Sequence, residues 1–333
     1  MRLTSADISI KRLLAAVAVT AIAGTVLACQ VPVFRYAFER WNPDRYRILI
    51  LNDGEFNSEH HLLVQAIQKA SSQHLQIDVR SVDVAGTRDS HLVDIWKTHR
   101  EQSAITQPLL VAQYPISSTV PEDGYACQFP LTQDAVDRLT VSPARKEIAR
   151  RLSEGQSAVW VLLESGDEGK DQAALTTLKK QLGLDAAWLK LPSPEELEVD
   201  PDVLSQVKVP LKIEFSVLSV RKDDPQESVL TQSLLNSEAD LHEYADEPLA
   251  FPIFGRGRVL YALVGKGIAP DTIRAATTFI TGPCSCQVKS QNPGFDLLLD
   301  HDWNESVGEL LISDPLPETP KKPTLIPIPP GKK

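Results

Sequence analysis

The sequence predicts an α/β protein built from two similar halves. Apolar runs typical of buried strands alternate with patterns typical of amphipathic helices, and this order of elements occurs twice. The composition agrees, because 42% hydrophobic and 23% charged residues are ordinary for a globular chain. A length of 333 residues is also sufficient for two domains.

The first half is predicted at residues 46–155. Strands are expected at 46–51, 75–84 and 109–113, with helices at 60–70 and 91–100. Ser142 and Pro143 provide a cap and a first-turn proline for a helix that runs to Leu152.

The second half is predicted at residues 156–312. Strands are expected at 157–164 and 211–220, and residues 251–264 are expected to form a hairpin that turns at 255–257. Helices are expected at 170–182, closed by Gly183, and at 227–236 and 271–280, with a last short helix around 297–299.

This order of strand, helix, strand, helix, hairpin and helix, with Pro252 just before a hairpin strand, resembles the thioredoxin-like family. The resemblance implies two βαβαββα-type halves. Thioredoxins carry Cys-x-x-Cys where the first strand meets the first helix. The corresponding junctions here, LNDGEFNSEHH (51–61) and LESGDEGKDQ (163–172), contain no cysteine, so that chemistry is not expected.

The N-terminus has the pattern of an export signal. Arg2, Lys11 and Arg12 precede an uncharged run that begins at Leu13 and ends in VLAC at 26–29. These last residues resemble the lipobox of bacterial lipoproteins, although Val26 and Leu27 stand where that family usually has Leu and a small residue. The resemblance implies a signal peptide at 1–28 and acyl chains such as palmitate on Cys29. An uncleaved membrane anchor at residues 13–34 is the alternative.

Residues 29–45 are interpreted as an anchor and juxtamembrane segment. Phe34, Phe38 and Trp41 recur at helical spacing with arginines between them. This stripe suits either a membrane interface or the core of the protein itself.

The charge of the chain is acidic. Residues 1–28 contain Arg2, Lys11, Arg12 and Asp7, a net charge of +2, so their removal changes the formal charge from −10 to −12. Phosphate binding needs a basic surface, and no nucleic-acid partner is therefore expected.

With Cys29 assigned to lipid, three cysteines remain: Cys127, Cys284 and Cys286. An exported location permits disulfides, and a bond from Cys127 to one member of the CSC pair is the leading expectation. Redox exchange or binding of a soft ion such as Cu(I) by Cys284 and Cys286 is a second hypothesis, and unpaired thiols are a third. The pair follows a helix C-terminus, whose dipole disfavours a thiolate.

Other motifs are weak. The first junction contains several potential metal ligands, which are explained as well by helix capping at Asn57 or Ser58: Asp53, Glu55, Glu59, His60 and His61. Residues 166–170 resemble a phosphate loop, but their spacing and acidity indicate a solvated turn. No catalytic constellation and no cofactor site is recognised.

The C-terminal residues 313–333 are expected to form a disordered Pro-rich tail, with seven prolines at 314–333. Together these features predict an exported lipoprotein that faces the periplasm or the exterior and acts as a non-enzymatic binding or assembly component of the cell envelope. Its expected partners are the membrane, through the lipid anchor, and another envelope protein. A thiol-redox or copper-handling protein that uses Cys284 and Cys286 is the rival hypothesis.

Overall fold

A computed structural model describes residues 29–71, 74–102, 107–116, 120, 124–284 and 288–313 of the chain. It confirms a mixed α/β protein. The expected signal peptide at 1–28, Cys286 and nearly all of the Pro-rich tail lie outside the described residues.

The first half contains a four-stranded sheet. Its strands are β2 (Tyr46–Asn52), β3 (Ile77–Asp83), β4 (Leu109–Gln113) and β5 (Tyr125–Pro130). Its helices are α2 (Ser58–Ser71), α3 (Ser90–Gln102), α4 (Gln133–Thr140) and α5 (Pro143–Ser153). The strand order is β3-β2-β4-β5, in which β2 and β3 are parallel and the other pairs are antiparallel.

The second half repeats this order around β6 (Ala158–Glu164), β7 (Phe215–Arg221), β8 (Leu249–Phe254) and β9 (Arg258–Val259). The sheet order is β12-β9-β8-β6-β7, with β12 at Phe295–Asp296 and with β10 (Leu263–Val264) paired to β8. Strands β6 and β7 are parallel, whereas β8 is antiparallel to β6. Its principal helices are α6 (Glu168–Trp188), α9 (Ser228–Leu235) and α10 (Pro270–Thr281).

Short elements complete the chain. The N-terminal segment forms β1 (Cys29–Pro32), which pairs with β11 (Pro283–Cys284), and α1 (Val33–Arg40). Helices α7 (Pro194–Leu197) and α8 (Pro201–Gln206) precede β7, and α11 (Trp303–Val307) lies near the C-terminus. Helical turns of the 3-10 type occur at Pro225–Glu227, Leu241–Tyr244, Gly265–Gly267 and Lys289–Gln291.

The two sheets face a shared core. Ile48 and Ile50 of β2 belong to the same buried cluster as Val159 and Val161 of β6, and helices α2, α4, α5 and α9 contribute to it. The opposite face of the first sheet packs on α3, and the opposite face of the second packs on α1, α6 and α10. Both sheets are therefore buried on both faces, which explains why their central strands are continuous apolar runs.

Several predicted boundaries are wrong for identifiable reasons. Helix α6 continues through Gly183 to Trp188, because Asp185 in the next turn accepts hydrogen bonds from Arg274 Nε (2.9 Å) and Thr277 Oγ1 (2.8 Å) of α10. The expected helix at 297–299 is absent. Leu297 N instead donates to Gly257 O (2.9 Å), and the helix forms at Trp303–Val307.

The aromatic stripe after Cys29 lies in the protein core, not at a free surface. Phe34, Phe38 and Trp41 are each at most 5% exposed. Val33 and Phe34, the last residues of the alternative anchor, are thus buried within the protein. In the part of the chain that the structure describes, no helix combines the length and the apolar character needed to cross a membrane.

The turn at residues 255–257 requires glycine where it approaches α1. Gly255 has φ +61°, and a Cβ there would lie 2.6 Å from Ala37 Cβ and 3.2 Å from Ala37 C. Gly183 differs, since it lies within α6 with no atom near the position that a Cβ would occupy. The two glycines form a matched pair for testing how closely the hairpin packs on α1.

We predict that Gly255→Ala lowers the free energy of unfolding by about 2 kcal/mol or more, because it combines a left-handed backbone with a steric overlap. Gly183→Ala should instead raise it by about 0.5–1 kcal/mol, because alanine is the better helix former. Urea unfolding followed by circular dichroism measures both changes. Equal stabilities of the two variants would contradict the close packing of the hairpin on α1.

Candidate functional site

The segment after Cys29 is held in place by buried polar contacts. Arg35 donates from Nε to Glu39 Oε1 (2.6 Å) and from a terminal nitrogen to Val209 O (2.7 Å). The Glu39 carboxylate also accepts hydrogen bonds from the backbone N–H groups of Ile312 and Ser313. This pair therefore joins the first helix to the loop before β7 and to the end of the described chain.

Two arginines of the hairpin bind the end of the same segment. Arg256 donates from Nε to Phe38 O (2.7 Å) and from a terminal nitrogen to Glu39 O (3.0 Å), carbonyls that the end of α1 leaves unpaired. Arg258, which is 2% exposed, binds Asp296 Oδ1 at 3.2 Å. The sequence signal for this contact is Gly-Arg-Gly-Arg at 255–258, from which only a turn is predicted.

Strand pairing places the backbone of Cys29 beside that of Cys284. The backbones of Cys29 and Cys284 are directly opposite in the antiparallel pairing of β1 with β11, and Val33 N donates to Gly282 O (2.9 Å). Cys284 is 1% exposed and belongs to the cluster that contains Val31 and Phe34. The sequence did not predict this proximity, because strand pairing between distant segments leaves no local pattern.

Cys127 does not form the expected disulfide. It is a free, fully buried cysteine of β5, in the core shared by the two sheets, whereas Cys284 belongs to a different cluster. Burial raises the pKa of the Cys127 thiol to about 12, although the charge of Arg145 acts in the opposite direction. Cys127 is therefore a core residue that is poorly suited to redox exchange or to metal binding.

The potential metal ligands of the first junction do not converge. Asp53 lies 3.9 Å from a terminal nitrogen of Arg100, and Asn57 Oδ1 caps α2 by accepting from His60 N (2.8 Å). Within the described ranges, no group of three or more His, Cys, Asp or Glu side chains is placed to hold a metal ion. Capping by Asn57 is confirmed.

The second junction forms one wall of a cleft at the carboxyl ends of the parallel strands β6 and β7. The cleft has a volume of ≈ 530 Å³. Asp171 fixes the turn that follows β6, because its carboxylate accepts from Ser165 N (2.7 Å), Ser165 Oγ (2.8 Å) and Gly166 N (3.0 Å). Residues 166–170 are exposed, as predicted for a solvated turn, and they border this cleft. In α/β sheets, ligands typically bind at this edge.

The charged groups of this cleft are mostly carboxylates. Its lining includes Glu164, Glu168, Asp171 and Asp223 but only two cations, Arg221 and Lys222. Lys222 Nζ donates to the backbone oxygens of residues 245 (2.8 Å) and 247 (2.6 Å), and burial lowers its pKa. No histidine lines the cleft to activate Ser165. The site therefore provides carboxylates for a cationic or hydrogen-bond-donating group.

We compared the chain with models of protein families, with curated proteins and with solved structures, and none of the three comparisons finds a match. The function must therefore be inferred from the geometry of the molecule itself.

We predict that Cys127 resists alkylation in the native protein, because it is fully buried and its thiolate is scarce at neutral pH. Labelling with iodoacetamide at pH 7.5, followed by peptide mass spectrometry, should modify Cys127 only after unfolding in urea. A Cys127→Ala variant identifies the labelled peptide. Rapid modification of Cys127 in the folded protein would contradict its assignment as a core residue.

Proposed function

We propose that the protein is an exported lipoprotein that serves as a non-enzymatic binding or assembly component of the cell envelope. The observation that carries this proposal is the position of Cys29. The uncharged run and its lipobox-like ending at Cys29 are followed at once by β1, in which Val31 is already buried. The predicted lipidation site thus lies in a strand that leads directly into buried residues.

We further propose that both halves are thioredoxin-like. The support is the repeated strand order, with a parallel first pair and an antiparallel third and fourth strand in each half. At the junctions after β2 and β6, the chain has Asp53-Gly54 and Ser165-Gly166 in place of a cysteine pair. Such a fold without its reactive thiols is suited to binding, and the acidic cleft after β6 is an available surface.

The register of β1 supports a second candidate function, in thiol exchange or in copper handling. It brings the backbone of Cys29 opposite Cys284, two residues before Cys286. Cysteine sulfurs suit a soft ion such as Cu(I). Lipidation and disulfide exchange exclude each other at Cys29, because the sulfur of an acylated Cys29 is a thioether and cannot form a disulfide.

The fate of Cys29 therefore decides between these functions. We expect the wild-type protein, expressed in a bacterium, to incorporate radiolabelled palmitate and to fractionate with membranes. Cys29→Ser should abolish the label, and the variant should no longer fractionate with membranes. Cys127→Ser is the matched control, because it also removes one thiol and should retain the label.

A wild-type protein without palmitate would contradict the lipoprotein proposal. Recovery of Cys29 in a disulfide, or of one stoichiometric Cu(I) bound by the wild type and lost in Cys29→Ser, would establish the second candidate instead.

A further inference from the structure

A second cleft lies where the two halves meet, next to the C-terminal end of α1. Its volume is ≈ 390 Å³, within the size range of small-molecule sites. The first half and the linker after α1 contribute Asn42, His74 and Gln76, and the C-terminal segment contributes His301, Asp302 and Asn304. Side chains from segments distant in sequence thus converge on one space.

Arg256 at the base of this cleft orients two carboxamide groups. One terminal nitrogen of its guanidinium donates to Asn42 Oδ1 (2.8 Å) and to Asn304 Oδ1 (3.3 Å). Because each amide oxygen is thereby fixed, each Nδ2 group must point away from Arg256. Neither Nδ2 group donates a hydrogen bond to another described residue. Asn42 and Asn304 are both exposed, so the two oriented Nδ2 groups are open to solvent and accessible to a ligand.

Asp302, His301 and Trp303 also line the cleft. Asp302 uses Oδ1 to cap α11, accepting from Glu305 N (2.9 Å), and its Oδ2 lies 3.8 Å from His74 Nδ1, beyond hydrogen-bond distance. His301 accepts from or donates to Ser306 Oγ through Nε2 (2.7 Å). Trp303 forms part of the wall, and its buried indole N–H has no hydrogen-bond partner among the described residues.

The charge of the cleft is nearly balanced. Arg256 contributes a cation that is already bound to the carbonyls of Phe38 and Glu39, and Asp302 contributes one carboxylate. Burial lowers the pKa of His301, so its imidazole is neutral at pH 7. The nearby Asp302 raises this pKa, whereas His74 lowers it further. An anion would meet Asp302 and find Arg256 occupied. An apolar ligand would leave the amide and carboxylate groups desolvated without partners.

We propose that this cleft binds a neutral saccharide, whose neighbouring hydroxyl groups accept from the amides of Asn42 and Asn304 and donate to the carboxylate of Asp302. Planar amide and carboxylate groups suit such a ligand because each hydroxyl both donates and accepts a hydrogen bond. The inference rests on the proposed binding role and names its ligand class. It does not depend on lipidation of Cys29.

The test is calorimetric titration of the full chain in a zwitterionic, sugar-free detergent. The probes are the neutral trisaccharides maltotriose, cellotriose and chitotriose, with galacturonic acid as an anionic comparison. At least one neutral probe should bind with a dissociation constant of about 1 mM or lower. Asn304→Ala and Asp302→Ala should each weaken that binding about tenfold or more, as expected for a lost hydrogen bond to a sugar hydroxyl.

Two further variants keep the test decisive. His74→Ala changes a half-exposed side chain at the rim of the cleft and should weaken binding even where Asn304→Ala fails to fold. Gln172→Ala, in the other cleft, is the matched control and should leave the affinity unchanged.

Three results would overturn the inference: no binding of any neutral probe at about 10 mM, tighter binding of galacturonic acid, or an affinity that responds to Gln172→Ala and not to the cleft variants. Saccharide binding by a chain that carries no palmitate would support this inference while refuting the lipid anchor. The two failures are therefore distinguishable.

Discussion

Much of the structure depends on the hydrogen bonds that the hairpin at residues 255–258 makes to the segment after Cys29. Arg256 satisfies the last carbonyls of α1, and Arg258 binds Asp296, whose other carboxylate oxygen accepts from Asp44 N (2.8 Å). The same Asp296 accepts from Tyr46 Oη through its backbone oxygen (2.6 Å). One turn therefore fixes the first helix, the entry into the first sheet and the last strand of the second sheet.

These contacts bury charged side chains in the interior of the protein. Arg35, Glu39, Arg258 and Asp296 are each at most 4% exposed. Buried ion pairs often contribute little net stability, because desolvation offsets their attraction, but removal of one partner is strongly destabilising. Their value here is geometric, since each carboxylate has oxygens for several backbone donors from different segments. The Arg35–Glu39 pair thereby joins α1 to Val209, Ile312 and Ser313, and Asp296 joins the hairpin to Asp44.

The sequence predicted the central elements well and the connections between them poorly. Residues such as Ile48, Ile50, Val159 and Val161 form apolar runs because both faces of each sheet are buried, and such runs are visible locally. The end of α6 was missed because it depends on Asp185 meeting α10, a contact between distant segments. The sites around Asn42 and Cys29 likewise depend on contacts between distant segments. Asn42 and Asn304, like Cys29 and Cys284, meet only through tertiary structure.

The burial of the N-terminal segment also constrains how an anchored protein can act. Only Gln30 separates Cys29 from buried residues, so a lipid on Cys29 would hold the folded body directly against the membrane without a linker. Partners that lie far from the membrane would then have to be reached by another part of the chain. At the other end of α1, Arg40 donates to Ser313 Oγ (2.8 Å) and to Ser313 O (2.7 Å), so this helix also binds the C-terminal segment of the folded body.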